Sequence, residues 1–349
     1  MEIRWECQAS LWQETLDCVP QATFFHTPAW AHLFAVTHGG HVDVLHASWP
    51  DGRRAVMPVG VRPVWHGLRQ AAVTGIDGGY GGLLATGPLS LAEERQLYRI
   101  VWRRFPDIAL TSNPFAESAP LLSLAGTVSA SHTYAVRLAP LPQLRRHYDK
   151  ERQRAVRRYL DAGVQVRLIR RPDESDKRQF RRLYEQAAAC WRLGPAGDRW
   201  TRDERWFQAL WEQARRHLTL AVAAVDGAVA GMEILATQGR IATELMHVWD
   251  RRFAKQQVST AIVEACLAFS HAQGCTYLDA VPSGPLDSLD YYKASFGAEA
   301  LPIWTVSRMS PLSRALLRGQ AEWRWWQALV PVRRQESPDR LIQESLTTH

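Results

Sequence analysis

Residues 218–249 read LTLAVAAVDGAVAGMEILATQGRIATELMHVW, and three strands can be cut from them at 218–225, 229–237 and 241–249. The first two are separated by Asp226-Gly227, a tight-turn dipeptide whose residues tolerate positive φ, so the three are expected to be antiparallel neighbours. Downstream, 258–273 carries Ala261, Ile262, Ala265, Leu267, Ala268 and Phe269 at helical spacing, and Gly274 ends that helix. A strand at 275–280, a short helix at 289–296 and a last strand at 300–309 follow. Upstream, a basic helix from 143 stops at Gly163, and a strand at 164–169 leads to helices at 173–190 and 203–217. From residue 164 the order is therefore β-α-α-β-β-β-α-β-α-β.

The first half is less regular. Thr27-Pro28 is a helix start, with threonine as cap and proline in the first turn, and Trp30 lies just inside it. Strands at 42–48 and 54–62 flank the Asp51-Gly52 turn, a glycine-dense run occupies 75–82, and a helix is expected at 91–105. Short strands at 108–111 and 133–138 complete a mixed α/β half. Four segments are predicted: 1–140, 141–309, an amphipathic Trp/Arg helix at 310–332 with Leu312, Leu316, Trp323, Trp326 and Val330 on one face, and a polar tail at 333–349.

Composition excludes several classes. No run of about 18 apolar residues exists, and Glu2, Arg4, Glu6, Glu14 and Asp17 occupy the place of a signal peptide, so a soluble cytoplasmic protein is expected. The five cysteines are scattered, without metal-ligand spacing, so no metal is predicted. Net charge is +7, and it belongs to the second half: residues 1–140 hold 10 Lys+Arg against 11 Asp+Glu. Arg145, Arg146, Lys150, Arg152, Arg154, Arg157 and Arg158 form a basic stripe that reads as a solvated helix face or as an anion contact. Arg154, Arg157 and Arg158 are chosen for the latter, because guanidinium forks fit phosphate. The Trp/Arg segment at 310–330 suits peripheral contact with an anionic membrane face, or docking on its own domain.

Phe24-Phe25-His26-Thr27-Pro28-Ala29-Trp30, Tyr80-Gly81-Gly82, the arginine-rich stretch from Lys150 that ends in Ala162-Gly163-Val164, Asp279, and Tyr292-Lys293-Ala294-Ser295-Phe296-Gly297-Ala298 occur in that order. In this combination the chain resembles the FemABX family, whose members carry two GNAT-like domains and transfer amino acids from aminoacyl-tRNA to peptidoglycan precursors. The resemblance implies tandem GNAT-like domains, each a mostly antiparallel twisted sheet flanked by helices. It also implies amide-bond formation between an activated aminoacyl group and an amine of a cell-envelope, polysaccharide or secondary-metabolite precursor. Aminoacyl-tRNA is then the expected donor, with no tightly bound cofactor. By the same resemblance Lys293 stabilises charge during transfer, with Tyr292 beside it, and Trp30, Tyr80, Gly81 and Gly82 belong to the substrate site.

Asp279, at a strand end, either orients an amine or caps the following loop. His247, late in the third of the three strands, is a core histidine or a contact for the acyl group. Glu233 and Glu244 lie on neighbouring strands where they can meet, with a cross-strand ion pair or rim contact as the ordinary outcome. Asp77 and Glu93 are the acids nearest the glycine run, and neither is an assured base. Where coenzyme A would require a glycine loop, the chain reads Lys255-Gln256-Gln257-Val258-Ser259-Thr260. That speaks against a coenzyme A donor, because side chains hinder backbone approach to a pyrophosphate. Acyl-coenzyme A or an acyl carrier protein as donor, and a non-catalytic anion-binding module, remain as alternatives.

Overall fold

The computed structural model describes residues 1–64, 67–117, 119–192, 201–284 and 286–317. The elements run β1 (Glu2–Arg4), α1 (Ala9–Asp17), α2 (Pro28–His38), β2 (His41–Ser48), β3 (Arg54–Val64), β4 (Arg69–Val73), β5 (Leu84–Ala85), α3 (Leu91–Arg104), β6 (Ile108–Thr111), α4 (Ala119–Leu122), β7 (Thr127–Arg137) and α5 (Leu141–Leu144). They continue α6 (Lys150–Asp161), β8 (Gln165–Ile169), α7 (Glu174–Arg192), α8 (Glu204–Gln213), β9 (Leu218–Val225), β10 (Ala228–Gln238), β11 (Ile241–Trp249), α9 (Val258–Ala272), β12 (Tyr277–Asp279), α10 (Asp287–Ala294), β13 (Glu299–Arg308) and α11 (Pro311–Leu317). From β8 to β13 this is the predicted order. The chain divides into two compact units, one of Met1–Gln21, Phe25–His132 and residues from Pro302, the other of Ala22–Phe24 and Thr133–Leu301.

In the first unit the strands lie in the order β1-β2-β3-β4-β6-β13, with β5 on β3; β4 and β6 are parallel and the remaining pairs antiparallel. Alternation buries Leu45, Val59, Ala72 and Leu110 against Leu97, Val101 and Trp102 of α3. That helix starts at a capping box, in which Ser90 Oγ accepts from Glu93 N and Glu93 Oε2 accepts from Ser90 N at 2.7 Å. The two Ser90 contacts, followed by the one from Arg53, hold the Glu93 carboxyl down at about 2. Glu93 is thus a helix cap rather than a base, and Asp77 is likewise engaged, by His38 Nε2 at 3.0 Å.

The second unit has the order β7-β12-β11-β10-β9-β8, antiparallel except between β11 and β12. Val258, Ala261, Ile262, Cys266 and Leu267 of α9 pack on Ala221, Ala223, Ala230, Leu235 and Ala242 of the sheet. Small strand residues under a β-branched helix face let the helix sit close, and tight packing fixes it.

Three boundaries differ from expectation. The units part at His132/Thr133, inside β7, rather than at 140/141. The last strand does not stay with the second unit: from Pro302 onward it pairs with β6, Thr305 opposite Thr111 and Val306 opposite Leu110. The basic helix is broken as well, since α5 ends at Leu144 and α6 begins only at Lys150, where Asp149 Oδ1 accepts from Arg152 N at 2.6 Å. Of the predicted C-terminal helix, Pro311–Leu317 is helical; Trp323, Trp326, Val330 and the tail at 333–349 lie outside the described residues. Among the described residues no helix is long and apolar enough to cross a membrane.

Candidate active site

A register shift in one strand pair builds the site. Glu233 of β10 faces His247 of β11, and Ile234 faces Met246, but Leu235 faces Glu244, so Leu245 is an extra, unpaired residue. In a regular strand Glu244 and His247, three apart, would point to opposite faces. The bulge turns Glu244 round, so Glu233, Glu244 and His247 share one face. β11 pairs with β12 only at Ile241, Ala242 and Thr243, which leaves its bulged half unpaired on that side among the described residues.

Glu233 is fully buried, and its Oε2 lies 2.5 Å from His247 Nδ1. Its Oε1, and Oε1 of Glu244, have no hydrogen-bond partner among the described residues. Burial, and then the Glu233 carboxylate, push the Glu244 carboxyl well above the ordinary carboxylate range, while Lys293 pulls the other way. Burial and a neighbouring acid thus both favour the neutral form of the Glu244 carboxyl.

The first turn of α9 meets this face. Gly231 of β10 makes that approach possible, because a Cβ there would lie 2.9 Å from both Val258 Cγ1 and Ile262 Cδ1. Gln257 precedes the helix in the left-handed region (φ 56°), and no side chain caps the helix. Ser259 Oγ lies 2.9 Å from His247 Nε2 and 2.7 Å from the Tyr292 hydroxyl. Glu233, His247, Ser259 and Tyr292 thus form one continuous chain of hydrogen bonds.

Lys293, in the last turn of α10, is 8% exposed, and its Nζ donates to the Val281 carbonyl at 2.7 Å. Val281 is a β-branched residue at φ +50°, a conformation costing about 1–3 kcal/mol. Both its backbone groups are held: its N–H donates to Asp279 Oδ1 at 3.1 Å and its carbonyl takes the lysine. Burial lowers the Lys293 ammonium to about 8, against the opposing pull of Glu244, Asp279, Asp290 and Glu233. Burial also pushes the neighbouring Tyr292 phenol up to about 12. Asp279 is fully buried, and its Oδ1 also accepts from Thr133 Oγ1 at 2.7 Å. It braces the Val281 turn instead of presenting a free carboxylate to an amine.

Beside the start of α9 lies a pocket of ≈ 290 Å³ lined by Glu151, Arg152, Arg154, Ala155, Arg158 and Gln257. Arg154 and Arg158 line it with exposed side chains, and Arg157, also exposed, is not among the lining residues. The rest of the basic stripe divides by role. Arg152 is buried, donates to Ser295 Oγ at 3.0 Å and Thr260 Oγ1 at 2.6 Å, and stacks on Tyr292 and Phe296. Arg145 forms a two-pronged pair with Glu264 at 2.8 and 2.6 Å. These two arginines tie helices together and are spent on the fold. Among the described residues no cluster of His, Cys, Asp or Glu is arranged to hold a metal ion.

The four residues proposed from the first unit sit in its interior. Trp30 is buried, its indole N–H donates to the Ile76 carbonyl at 2.8 Å, and its ring meets Phe25 edge to face. Tyr80 is 1% exposed, between the rings of Phe25 and Phe115. Gly81 presses on Thr74, whose Oγ1 would lie 2.3 Å from an added Cβ, and its carbonyl meets His26 Nε2 at 3.0 Å. Gly82 has φ +105°, open to glycine at little cost. The Tyr80-Gly81-Gly82 motif makes tight local packing.

Ser259 was missed as a site residue, as was the assembly of Glu233 and Glu244 with it. No local pattern marks the bulge that gathers them. Residues 145–294 match the family model of the acetyltransferase (GNAT) domain, a span that holds all of this cluster. No curated protein matches the chain by sequence. Among solved structures, FemX superimposes with a TM-score of 0.68 at 10% identity, covering 91% of this chain and 99% of its own. A conserved protein of unknown function from Bacteroides thetaiotaomicron gives 0.58 at 11% identity over 88% of this chain and 100% of its own. The C-terminal domain of a putative lysylphosphatidylglycerol synthetase from Agrobacterium fabrum gives 0.52 at 14%, over 89% and 96%. At such identities the likeness is one of fold. By the family its second unit matches, the protein is an acyltransferase, with a GNAT domain set in a chain that shares the fold of FemX.

Proposed function

We propose that the protein transfers an aminoacyl group from aminoacyl-tRNA to an amine of a cell-envelope, polysaccharide or secondary-metabolite precursor. The observation that carries this reading is Lys293, buried among carboxylates and hydrogen-bonded to a strained carbonyl. Attack of an amine on an ester makes a tetrahedral oxyanion and expels an alkoxide, and both need a proton or a positive charge close by. An ammonium that ionises near 8 still holds its proton at neutral pH and releases it readily. Glu244, whose carboxyl is pushed toward its neutral form, lies on the same face as Glu233 and His247.

Arg154 and Arg158 suit the phosphate end of the donor. At ≈ 290 Å³ the pocket accommodates that end rather than a whole donor. The named substrates of the similar structures are theirs alone, and the fold they share with this chain is consistent with aminoacyl transfer. The test is incubation of the purified protein with mixed radiolabelled aminoacyl-tRNA and a panel of amines. Label appearing in an amide product supports the reading, and hydrolysis alone across the panel overturns it.

One observation favours acyl-coenzyme A as an alternative donor. Gln257 holds the left-handed conformation that a glycine would supply, at the uncapped start of α9 and on the wall of the arginine pocket. Calorimetric titration with acetyl-coenzyme A separates the two: micromolar binding selects the thioester donor, and no heat retains the tRNA ester.

A further inference from the structure

The chain of contacts from Glu233 to Tyr292 has a direction. A carboxylate only accepts, so in the neutral imidazole Glu233 places the proton on Nδ1 and leaves Nε2 with its lone pair. Ser259 must then donate to Nε2, and the Tyr292 hydroxyl must donate to Ser259 Oγ. Serine O–H to histidine Nε2, with Nδ1–H to a buried carboxylate, is the arrangement by which a neutral hydroxyl becomes a nucleophile. The distances, 2.9 and 2.5 Å, are within the reach proton transfer requires.

The surroundings meet the other requirements. Ser259 is half-buried, while Glu233 behind the histidine is fully buried, so the acid is shielded and the hydroxyl is not. The serine stands in the first turn of α9, whose N–H groups no side chain caps; these are donors for the oxyanion formed on the donor's carbonyl oxygen when Oγ attacks. Arg154 and Arg158 line the pocket that Gln257 closes, two residues before the serine.

We propose that Ser259 is an acyl-accepting nucleophile activated by His247 and Glu233, so that transfer proceeds through a serine ester. The proposal rests on the acyl-transfer reading above and adds a covalent step to it. In the first half Oγ bonds to the carbonyl carbon of the donor ester, the bond to the donor alkoxide breaks, and the serine proton passes through His247 Nε2 to that alkoxide. In the second half the amine nitrogen bonds to the same carbon and the bond to Oγ breaks. The amine proton then returns through His247 to Oγ, with the Tyr292 hydroxyl donating to the departing oxygen. The sum is ester plus amine giving amide plus alcohol. Glu233 touches no reacting atom and is a positioning residue.

The test uses the full chain and diisopropyl fluorophosphate, which phosphorylates activated serines and needs no knowledge of the donor. Peptide mass spectrometry is expected to find the adduct on Ser259, and His247→Ala to slow labelling at least ~100-fold. Glu233→Gln is expected to slow it by a smaller factor than the loss of His247, with Glu233→Asp recovering part of the rate, which a merely structural carboxylate would not produce. His247→Gln serves if the alanine variant does not fold by circular dichroism. No adduct on Ser259 while chymotrypsin is fully labelled alongside, or equal labelling with and without His247, overturns the nucleophile. Amide formation without labelling removes the serine ester and leaves acyl transfer; labelling without amide formation on any acceptor keeps the activated serine and removes transfer to amines.

Discussion

The region around Tyr80 in the first unit and the region around Lys293 in the second both carry residues that a motif singles out, yet they are built on opposite principles. At Tyr80 the polar groups are satisfied by neighbours: Trp30 finds the Ile76 carbonyl, and His26 finds that of Gly81. Around Lys293 the chain buries an ammonium and the carboxylates of Glu233 and Asp279, leaves an oxygen of both Glu233 and Glu244 without a hydrogen bond among the described residues, and bends Val281 into a disfavoured conformation. Burying charge costs several kcal/mol per ion, and folding alone gives no reason to bear it. Satisfied interiors describe structure, whereas costly ones describe function.

The sharpest way to break this contrast is to exchange the charges. Lys293→Met is expected to lower the rate of transfer by a factor on the order of 100 or more, as removal of an oxyanion donor does. Steady-state kinetics checks it. Next in size is the arginine pocket: Arg154→Ala with Arg158→Ala is expected to raise KM for the donor about 10-fold or more with kcat little changed, and Arg157→Ala to do much less.

In the first unit the effects should fall on stability alone. Gly81→Ala forces a Cβ against Thr74 and is expected to cost about 1–3 kcal/mol in urea unfolding. Trp30→Phe strands the Ile76 carbonyl at about 1–3 kcal/mol. Both variants, where folded, are expected to keep the wild-type kcat, and a loss of kcat would place this region in the site after all.

The smallest effect is on pH and stability, and its sign follows from Lys293. Its folded ionisation lies below the unfolded value, so between about 8 and 10.5 the unfolded chain binds more protons, and stability from this group rises with pH through that window. Transfer that needs the ammonium runs the other way and falls as pH rises through about 8.

Most of the fold could be read from residues 218–309, because each element there announces itself. The alternation of β9 to β11, the Asp226-Gly227 turn and the apolar face of α9 are local signals. Lys293 and Tyr292 were legible through their motif, and Arg154 and Arg158 through charge. What escaped depends on partners distant in the chain. The bulge at Leu245 is a property of two strands, and only it brings Glu244 to the face of His247. Ser259 has no neighbour in sequence to mark it; His247 and Tyr292 lie 12 and 33 residues away. Arg145 and Arg152 looked like the arginines beside them until Glu264, Thr260 and Ser295 arrived from elsewhere. The passage of β13 to the first unit was hidden for the same reason.

The chain holds only four lysines, Lys150, Lys177, Lys255 and Lys293, so each side-chain amine can be followed by NMR in protein labelled at lysine. The measurement is their titration from pH 6 to 11 beside the pH profile of kcat. One resonance, absent in Lys293→Met, is predicted to titrate near 8 with activity falling through the same midpoint. No lysine amine titrating near 8, with activity unmoved through that pH, would contradict the account.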